Sequence, residues 1–133
     1  MPAASDLVIQ DGLATPVART FVLLTPSASD GSAAVWQYKA GANSSVFPTI
    51  MSSARKNQKR DARKLSLTVK VPYGITDSNT NVTKPGSAAV LNADITIPDD
   101  FPEAAKSDAV AFMTNLFQQS LVKAMIRDAV SAT

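Results

Sequence analysis

Apolar and polar residues alternate along most of this chain, and only its last quarter or so spaces apolar residues as a helix does. The clearest stretch runs from Lys64 to Val71. Leu65, Leu67, Val69 and Val71 alternate there with Lys64, Ser66, Thr68 and Lys70, and Pro72 closes the run. Such period-two patterning describes a strand with one buried and one wet face. Ala88 to Ile97 repeats it: Ala89, Leu91, Ala93, Ile95 and Ile97 face one way, and Val90, Asn92, Asp94 and Thr96 the other, with Pro98 at the end. Four β-rich runs come earlier, Leu7–Gln10, Arg19–Thr25, Ala34–Lys39 and Val46–Arg55. The first two form a hairpin through Asp11-Gly12, with a loop longer than two residues. Ser27–Ser32, Gly41–Ser45 and residues 56–62 read as turns.

Tyr73 to Gly86 is rich in Asn, Thr, Gly and Pro. It reads as a long polar loop, with a short strand at most around Val82; a loop over about 12 residues in a small domain is usually functional or mobile. After Pro98 the period changes. Asp99 or Asp100 can cap a helix, and Pro102 suits its first turn. Ala109, Val110, Phe112, Met113, Leu116 and Phe117 form one apolar stripe, Gln118-Gln119-Ser120 interrupts it, and Leu121, Val122, Met125, Ile126, Ala129 and Val130 form a second. The expected fold class is α+β: an N-terminal β-hairpin (1–26), a five-stranded antiparallel sheet (32–98) with the long loop 73–86, and two helices (99–133) packed on one face of the sheet. Two helices of this length cover only part of such a sheet, yet both stripes are strongly apolar. A homodimer that completes the burial is therefore expected.

A length of 133 residues makes this a single domain, 1–133. It contains no histidine and no cysteine. That excludes zinc sites of the Cys or His type, iron–sulfur clusters, thiol nucleophiles and Ser-His-Asp triads. No acid/base pair or phosphate-binding loop stands out, so neither an enzyme nor a cofactor or metal is expected. No apolar run is long enough to span a membrane, and the first residues lack the features of a signal peptide. The net charge is only +2, but six of the thirteen basic residues, Arg55, Lys56, Lys59, Arg60, Arg63 and Lys64, sit within ten positions. A solvated turn would show the same run. The neighbouring strands add Ser53, Ser66, Thr68, Lys70, Asn92 and Thr96 on one face, however, and a positive face rich in hydroxyls and amides suits phosphate and base-edge contact. Asp94 lies among these groups and tunes their charge. Asp99 and Asp100 read as acids at a helix N-terminus, and Trp36 as a core or interface residue.

These motifs resemble the coat proteins of single-stranded RNA bacteriophages of the levivirus type. Ala34-Val35-Trp36 is similar to that family's third-strand motif. Lys64–Pro72 resembles its fifth strand ending in Val-Pro, Leu91–Pro98 its last strand ending in Thr-Ile-Pro, and Ser107-Asp108 with the following stripes its two C-terminal helices. Three features depart from the pattern. The turn at 55–63 is longer and more basic, Val90 stands where the family often has a stacking tyrosine, and the cysteines that cross-link the long loop in some members are missing.

The resemblance implies two chains joining their sheets edge to edge, with helices interlocked between partners and Phe112, Leu116, Phe117, Leu121 and Ile126 at the dimer interface. It implies dimers assembled into an icosahedral shell, of T=3 type, around single-stranded genomic RNA in the bacterial cytoplasm, with a maturation protein as a further partner of the virion. It places RNA contacts on Ser53, Arg55, Lys64, Ser66, Thr68, Lys70, Asn92 and Thr96, with an operator hairpin and translational repression as a further role. The loop residues Tyr73, Gly74, Lys84, Pro85 and Gly86 would make the shell contacts. The competing reading is a non-viral homodimeric RNA-binding regulator, which would share the basic face but form no shells.

Overall fold

Alternation becomes strand pairing in the order of the chain. The structure, a computed structural model, describes residues 3–28, 31–39 and 46–133. Its strands are β1 (Leu7–Gln10), β2 (Ala18–Thr25), β3 (Ala34–Gln37), β4 (Thr49–Lys56), β5 (Ala62–Thr76) and β6 (Thr83–Pro98). They lie side by side in sequence order as one six-stranded sheet. This corrects the separate hairpin and five-stranded sheet. β2 pairs with β3, Val22 opposite Gln37 and Leu23 opposite Trp36, so the hairpin continues the sheet. The extra residue between Leu23 and Thr25 is taken up as a register shift in that pair.

The hairpin is held by side chains at both ends. Asp11 accepts the Leu13 and Val17 N–H groups at 3.2 and 3.0 Å. Its carboxylate also pairs with Arg19 Nε at 3.0 Å. Arg19 Nη1 reaches on to the Tyr38 hydroxyl at 3.2 Å, which ties the loop to the residue just past β3. At the other end Asp6 accepts the Leu23 N–H at 2.9 Å, and the Trp36 indole donates to the Ser5 carbonyl at 2.8 Å.

β4 and β5 pair over the whole length of β4, from Thr49 opposite Lys70 to Lys56 opposite Arg63. One face of that pair carries Ile50 opposite Val69, Ser52 opposite Leu67 and Ala54 opposite Leu65. Trp36 lies opposite Ile50 and so extends the same apolar face. The fourth strand starts at Thr49, after Pro48 rather than at Val46. Pro48 is spared because its carbonyl, not a missing N–H, makes the contact, accepting from Tyr38 N. The turn expected at Gly41–Ser45 lies outside the described residues.

The long loop is the largest correction. β5 runs through Pro72 to Thr76 and β6 starts at Thr83, leaving only residues 77–82 as a turn. Asp77 organises it: its N–H donates to the Val82 carbonyl, its carbonyl accepts from Asn81 N, and its carboxylate accepts from Asn79 N. Asn81 takes the left-handed conformation at φ 53°, which asparagine tolerates better than most residues. The Thr76 and Thr83 hydroxyls meet across the hairpin at 3.0 Å. Nearer the strand middles Thr68 meets Asn92. β6 thus has one more residue than β5 between these two contacts, an offset that a β-bulge accommodates. Pro85 is tolerated because β6 ends the strand order, where an edge N–H has no ladder to complete.

Residues from Pro98 onward form a second compact unit, distinct from the sheet unit that ends at Ile97. It holds α1 (Glu103–Leu116) and α2 (Ser120–Asp128), separated by residues 117–119, so the break falls one residue before the expected Gln118–Ser120 and Ser120 opens α2. Neither Asp99 nor Asp100 caps α1. The Phe101 N–H turns back to the Pro98 carbonyl, and Pro102 takes the cap position, its carbonyl accepting from Ala105 and Lys106. α2 ends on Ala129 in the left-handed conformation, φ 54°, with Val130 N–H bound to the Met125 carbonyl. Among the described residues no helix is long and apolar enough to cross a membrane.

The Asp11 carboxyl is held below its ordinary value, chiefly by the Val17 N–H, with the Leu13 N–H and Arg19 adding to it against a smaller opposing effect of desolvation. A folded pKa below the unfolded one stabilises at higher pH, and that contribution disappears as pH falls through the lowered value. Asp11→Ala should therefore lower the melting temperature at neutral pH, and the gap to wild type should close below about pH 4. A gap that persists unchanged to about pH 2 would show that the carboxylate is not what holds the hairpin.

Candidate nucleic-acid interface

The period of two in paired strands places side chains in rows across a sheet. On the face opposite Leu65, Leu67 and Val69, the pairing of β4 with β5 sets Ser53 beside Ser66, Arg55 beside Lys64, Met51 beside Thr68 and Thr49 beside Lys70. β6 continues two of these rows. Asp94 Oδ1 accepts the Ser66 hydroxyl at 2.8 Å, and Asn92 Oδ1 accepts that of Thr68 at 3.3 Å. Thr96 follows in the same alternation. Ser53, Arg55, Lys64, Ser66, Thr68, Lys70, Asn92 and Thr96 thus share one face, the first two brought there by an unbroken register despite Pro48.

The charge on this face is partly compensated. Lys64 Nζ stands 3.3 Å from Asp94 Oδ2, and both side chains are about half exposed. The Ser66 hydroxyl first, and Lys64 next, hold the Asp94 carboxyl below its ordinary value, so it is ionised at neutral pH. Arg55 is engaged from another direction. Its Nε and Nη2 donate to the Gly31 carbonyl at 3.4 and 3.3 Å. Gly31 is favoured there by its φ of +91°, and a Cβ, 2.8 Å from Arg55 Nε, would also displace the arginine side chain. Lys64 and Lys70 carry the charge along β5, and the basic turn lies beyond Lys64.

Asn57 builds that turn. Its side-chain oxygen accepts the Asp61 and Ala62 N–H groups, its amide donates to the Asp61 carboxylate, and its own N–H reaches the Ala62 carbonyl. Arg60 sits in the left-handed conformation, φ 57°, with its side chain exposed, as are those of Lys56, Lys59 and Arg63. Asp61, the acid of the cluster, is turned inward to Asn57, so the tip presents its basic groups.

Two apolar side chains on the face, Val35 and Met51, are not singled out by the sequence, nor is Thr49 beside Lys70. Val35 lies opposite Met51, and Met51 opposite Thr68, so both stand on the polar side. The step of two from Met51 to Ser53 and Arg55 is a signal for Met51, but its apolar side chain argues for the core. Of the loop residues, Tyr73 and Gly74 lie in β5, and Lys84, Pro85 and Gly86 in β6. Both glycines are filled from nearby: a Cβ at Gly74 would stand 3.0 Å from Thr83 and Val46, and one at Gly86 3.0 Å from Ile75. Phe112 and Leu116 lie on α1, Phe117 at its C-cap, and Leu121 and Ile126 on α2, all exposed. No group of three or more acidic residues that could hold a metal ion occurs among the described residues.

Solved structures share this arrangement. The virus-like particle protein of bacteriophage NT-214 matches with a TM-score of 0.84 at 20% identity, over 99% of this chain and 100% of that one. That of Beihai levi-like virus 21 matches with a TM-score of 0.83 at 13% identity, over 99% of both chains. The capsid protein of bacteriophage GA matches with a TM-score of 0.68 at 17% identity, over 96% of this chain and 95% of that one. No curated protein sequence matches significantly. The sequence model of the Levivirus coat protein family, by contrast, matches residues 2–133. The strand-by-strand motifs, the meander with two C-terminal helices and this end-to-end match together make the chain a member of the Levivirus coat protein family, a phage capsid protein belonging to the virion.

Proposed function

We propose that this chain forms a homodimer whose dimers assemble into a closed icosahedral shell, of T=3 type, around single-stranded viral RNA, with a maturation protein as a further partner in the virion. The carrying observation is unsatisfied surface. A monomer of 14.0 kDa exposes about 6,700 Å². This chain exposes 10101 Å². Among the described residues only Phe21, Ala34, Ile50 and Ala62 are buried apolar residues, and neither helix has a buried residue. Phe112 is 76% exposed. The excess, roughly 3,400 Å², exceeds one partner's share of a standard interface and matches an obligate dimer with further contacts. In this reading Phe112, Leu116, Phe117, Leu121 and Ile126 meet the second copy, and the helices cover the apolar side of the joined sheets. The NT-214 and Beihai levi-like virus 21 structures are of virus-like particles, which supports the same assembly here.

The polar face of β4, β5 and β6 is the RNA-binding surface. Ser66, Thr68 and Asn92 read a hairpin loop; Ser53 and Thr96 flank them, and Arg55, Lys64 and Lys70 meet phosphates. Binding of an operator hairpin would repress translation of a phage message. The β5–β6 extension, with Tyr73, Gly74, Lys84, Pro85 and Gly86, supplies contacts between dimers. Tyr73, Ile75 and Val82 are exposed there and gain from burial against neighbours.

Electron microscopy of the purified recombinant protein should show closed particles; a stable dimer that forms none would favour the RNA-binding regulator. Phe117→Ala or Ile126→Ala should cost roughly 2–5 kcal/mol, in a protein whose melting temperature rises with concentration. A folded monomer at low concentration would refute the obligate dimer. Replacing residues 77–82 by Asn-Gly should leave a folded dimer but alter particle size, yield or stability, whereas unaltered shells would remove the hairpin tip from assembly. In salt titrations, Lys64→Ala should weaken binding to every RNA and reduce the log–log slope by about 0.7. Asn92→Ala should mainly reduce discrimination between loops, by about 1–3 kcal/mol if it reads a base edge as in DNA complexes. Wild-type behaviour from both variants would remove RNA from this face.

A further inference from the structure

The Lys64–Asp94–Ser66 cluster puts a fixed negative charge in the middle of a face that otherwise suits an anion. A carboxylate there opposes phosphate binding, so the electrostatics of packaging do not account for it. Its geometry gives it another use. Asp94 Oδ1 accepts from Ser66 at 2.8 Å and Oδ2 from Lys64 at 3.3 Å, so each oxygen is held from the β5 side. Each retains a further lone pair, and the side chain is 58% exposed. The carboxylate is therefore a positioned, acceptor-only group with open acceptor sites. Two residues along β6, Asn92 has the complementary character. Its Oδ1 is taken by the Thr68 hydroxyl, which leaves the two N–H donors of its amide for a ligand. β6 thus offers an acceptor and then a donor, about 7 Å apart along the strand.

Unpaired bases differ in what they can give an acceptor. Adenine offers its N6 amine, cytosine its N4 amine and guanine its N1–H and N2 amine, whereas uracil offers only N3–H between two carbonyls that a carboxylate repels. Acidic side chains accept from cytosine N4 in DNA complexes for the same reason, and single-stranded RNA exposes these edges. We propose that Asp94 is a specificity-determining residue of the RNA face, its clasped carboxylate accepting N–H donors from an unpaired adenine, cytosine or guanine and rejecting uracil and bare phosphate. This rests on the reading of the face as the RNA site. Lys64 then has two tasks, since one of its three N–H groups orients Asp94 and the others remain for phosphate.

Asp94→Asn is the informative change. It keeps the size of the side chain and the acceptor for Ser66. It also removes the charge and adds an N–H₂ that a uracil carbonyl can accept. The full-length protein, as dimers, would be titrated with fluorescent oligo(A), oligo(C) and oligo(U) of equal length at several salt concentrations, with melting temperatures confirming that each variant is folded. Wild type should bind oligo(A) and oligo(C) at least about fivefold more tightly than oligo(U), the low end of what a good base-edge contact supplies. Asp94→Asn should bring the three within about twofold, mainly by tightening oligo(U), and should steepen the salt dependence by about 0.7 of a log–log unit as Lys64 is released to phosphate. Equal wild-type affinities for the three, or an Asp94→Asn protein that keeps the wild-type ratio, would overturn the proposal. If Lys64→Ala and Asn92→Ala still weaken binding in that case, the RNA face survives and only the role of Asp94 falls. If those variants also bind like wild type, both fall together.

Discussion

The antiparallel pairing of β4 with β5 is the constraint on which the rest of this structure depends. Eight residues of β4 meet eight of β5 without a slip. A slip of one residue would carry every leucine and valine of β5 to the polar side and every lysine and hydroxyl to the apolar side. The register is guarded from both ends. Asn57 closes the turn at one end, and Thr49 opposite Lys70 begins the pair at the other. The shared polar face follows from that alignment, because it is what sets Ser53 beside Ser66 and Arg55 beside Lys64.

One consequence of a two-faced sheet is that its apolar side must be covered by something. Among the described residues the sheet unit buries only four apolar side chains and the helical unit none. Propensity and capping make the helices possible, but most helical stability in proteins comes from packing an amphipathic face. A chain that leaves Phe112, Leu116, Leu121 and Ile126 in water has part of its folding free energy still to be gained on association. In the proposed dimer and shell, folding and assembly would therefore be linked.

The polar side is less simple than a basic patch. The Lys64–Asp94 pair and the Arg55–Gly31 contact mean that two of its three cations already have partners. Exposed pairs of this kind add little to stability. Their effect is on the character of the face: positive charge remains in surplus through Lys70 and the turn, while acceptors and donors are held at set points along β6. In the proposed RNA-binding role, affinity and selectivity would fall to different residues of the same surface.

The sequence by itself determined the class of the fold, the two faces of β5 and β6, the break between the helices and family membership through motifs spread along the chain. Those are local properties, written in a period of two, a period near four and the positions of proline and glycine. Tertiary structure alone decided where the strands end and which strands meet. Pro72 reads as a stop, yet β5 continues to Thr76, because cross-strand contacts such as Thr76–Thr83 and an Asp77-centred turn outweigh the one N–H that proline lacks. The hairpin joins the sheet because β2 finds β3, a pairing that no local pattern states. Met51 and Val35 join the polar face for the same reason, since register rather than polarity assigns a side chain to a face. Asp94 was visible as an acid among bases, but its hold on Ser66 and Lys64 spans about thirty residues of chain and exists only once β5 and β6 are paired.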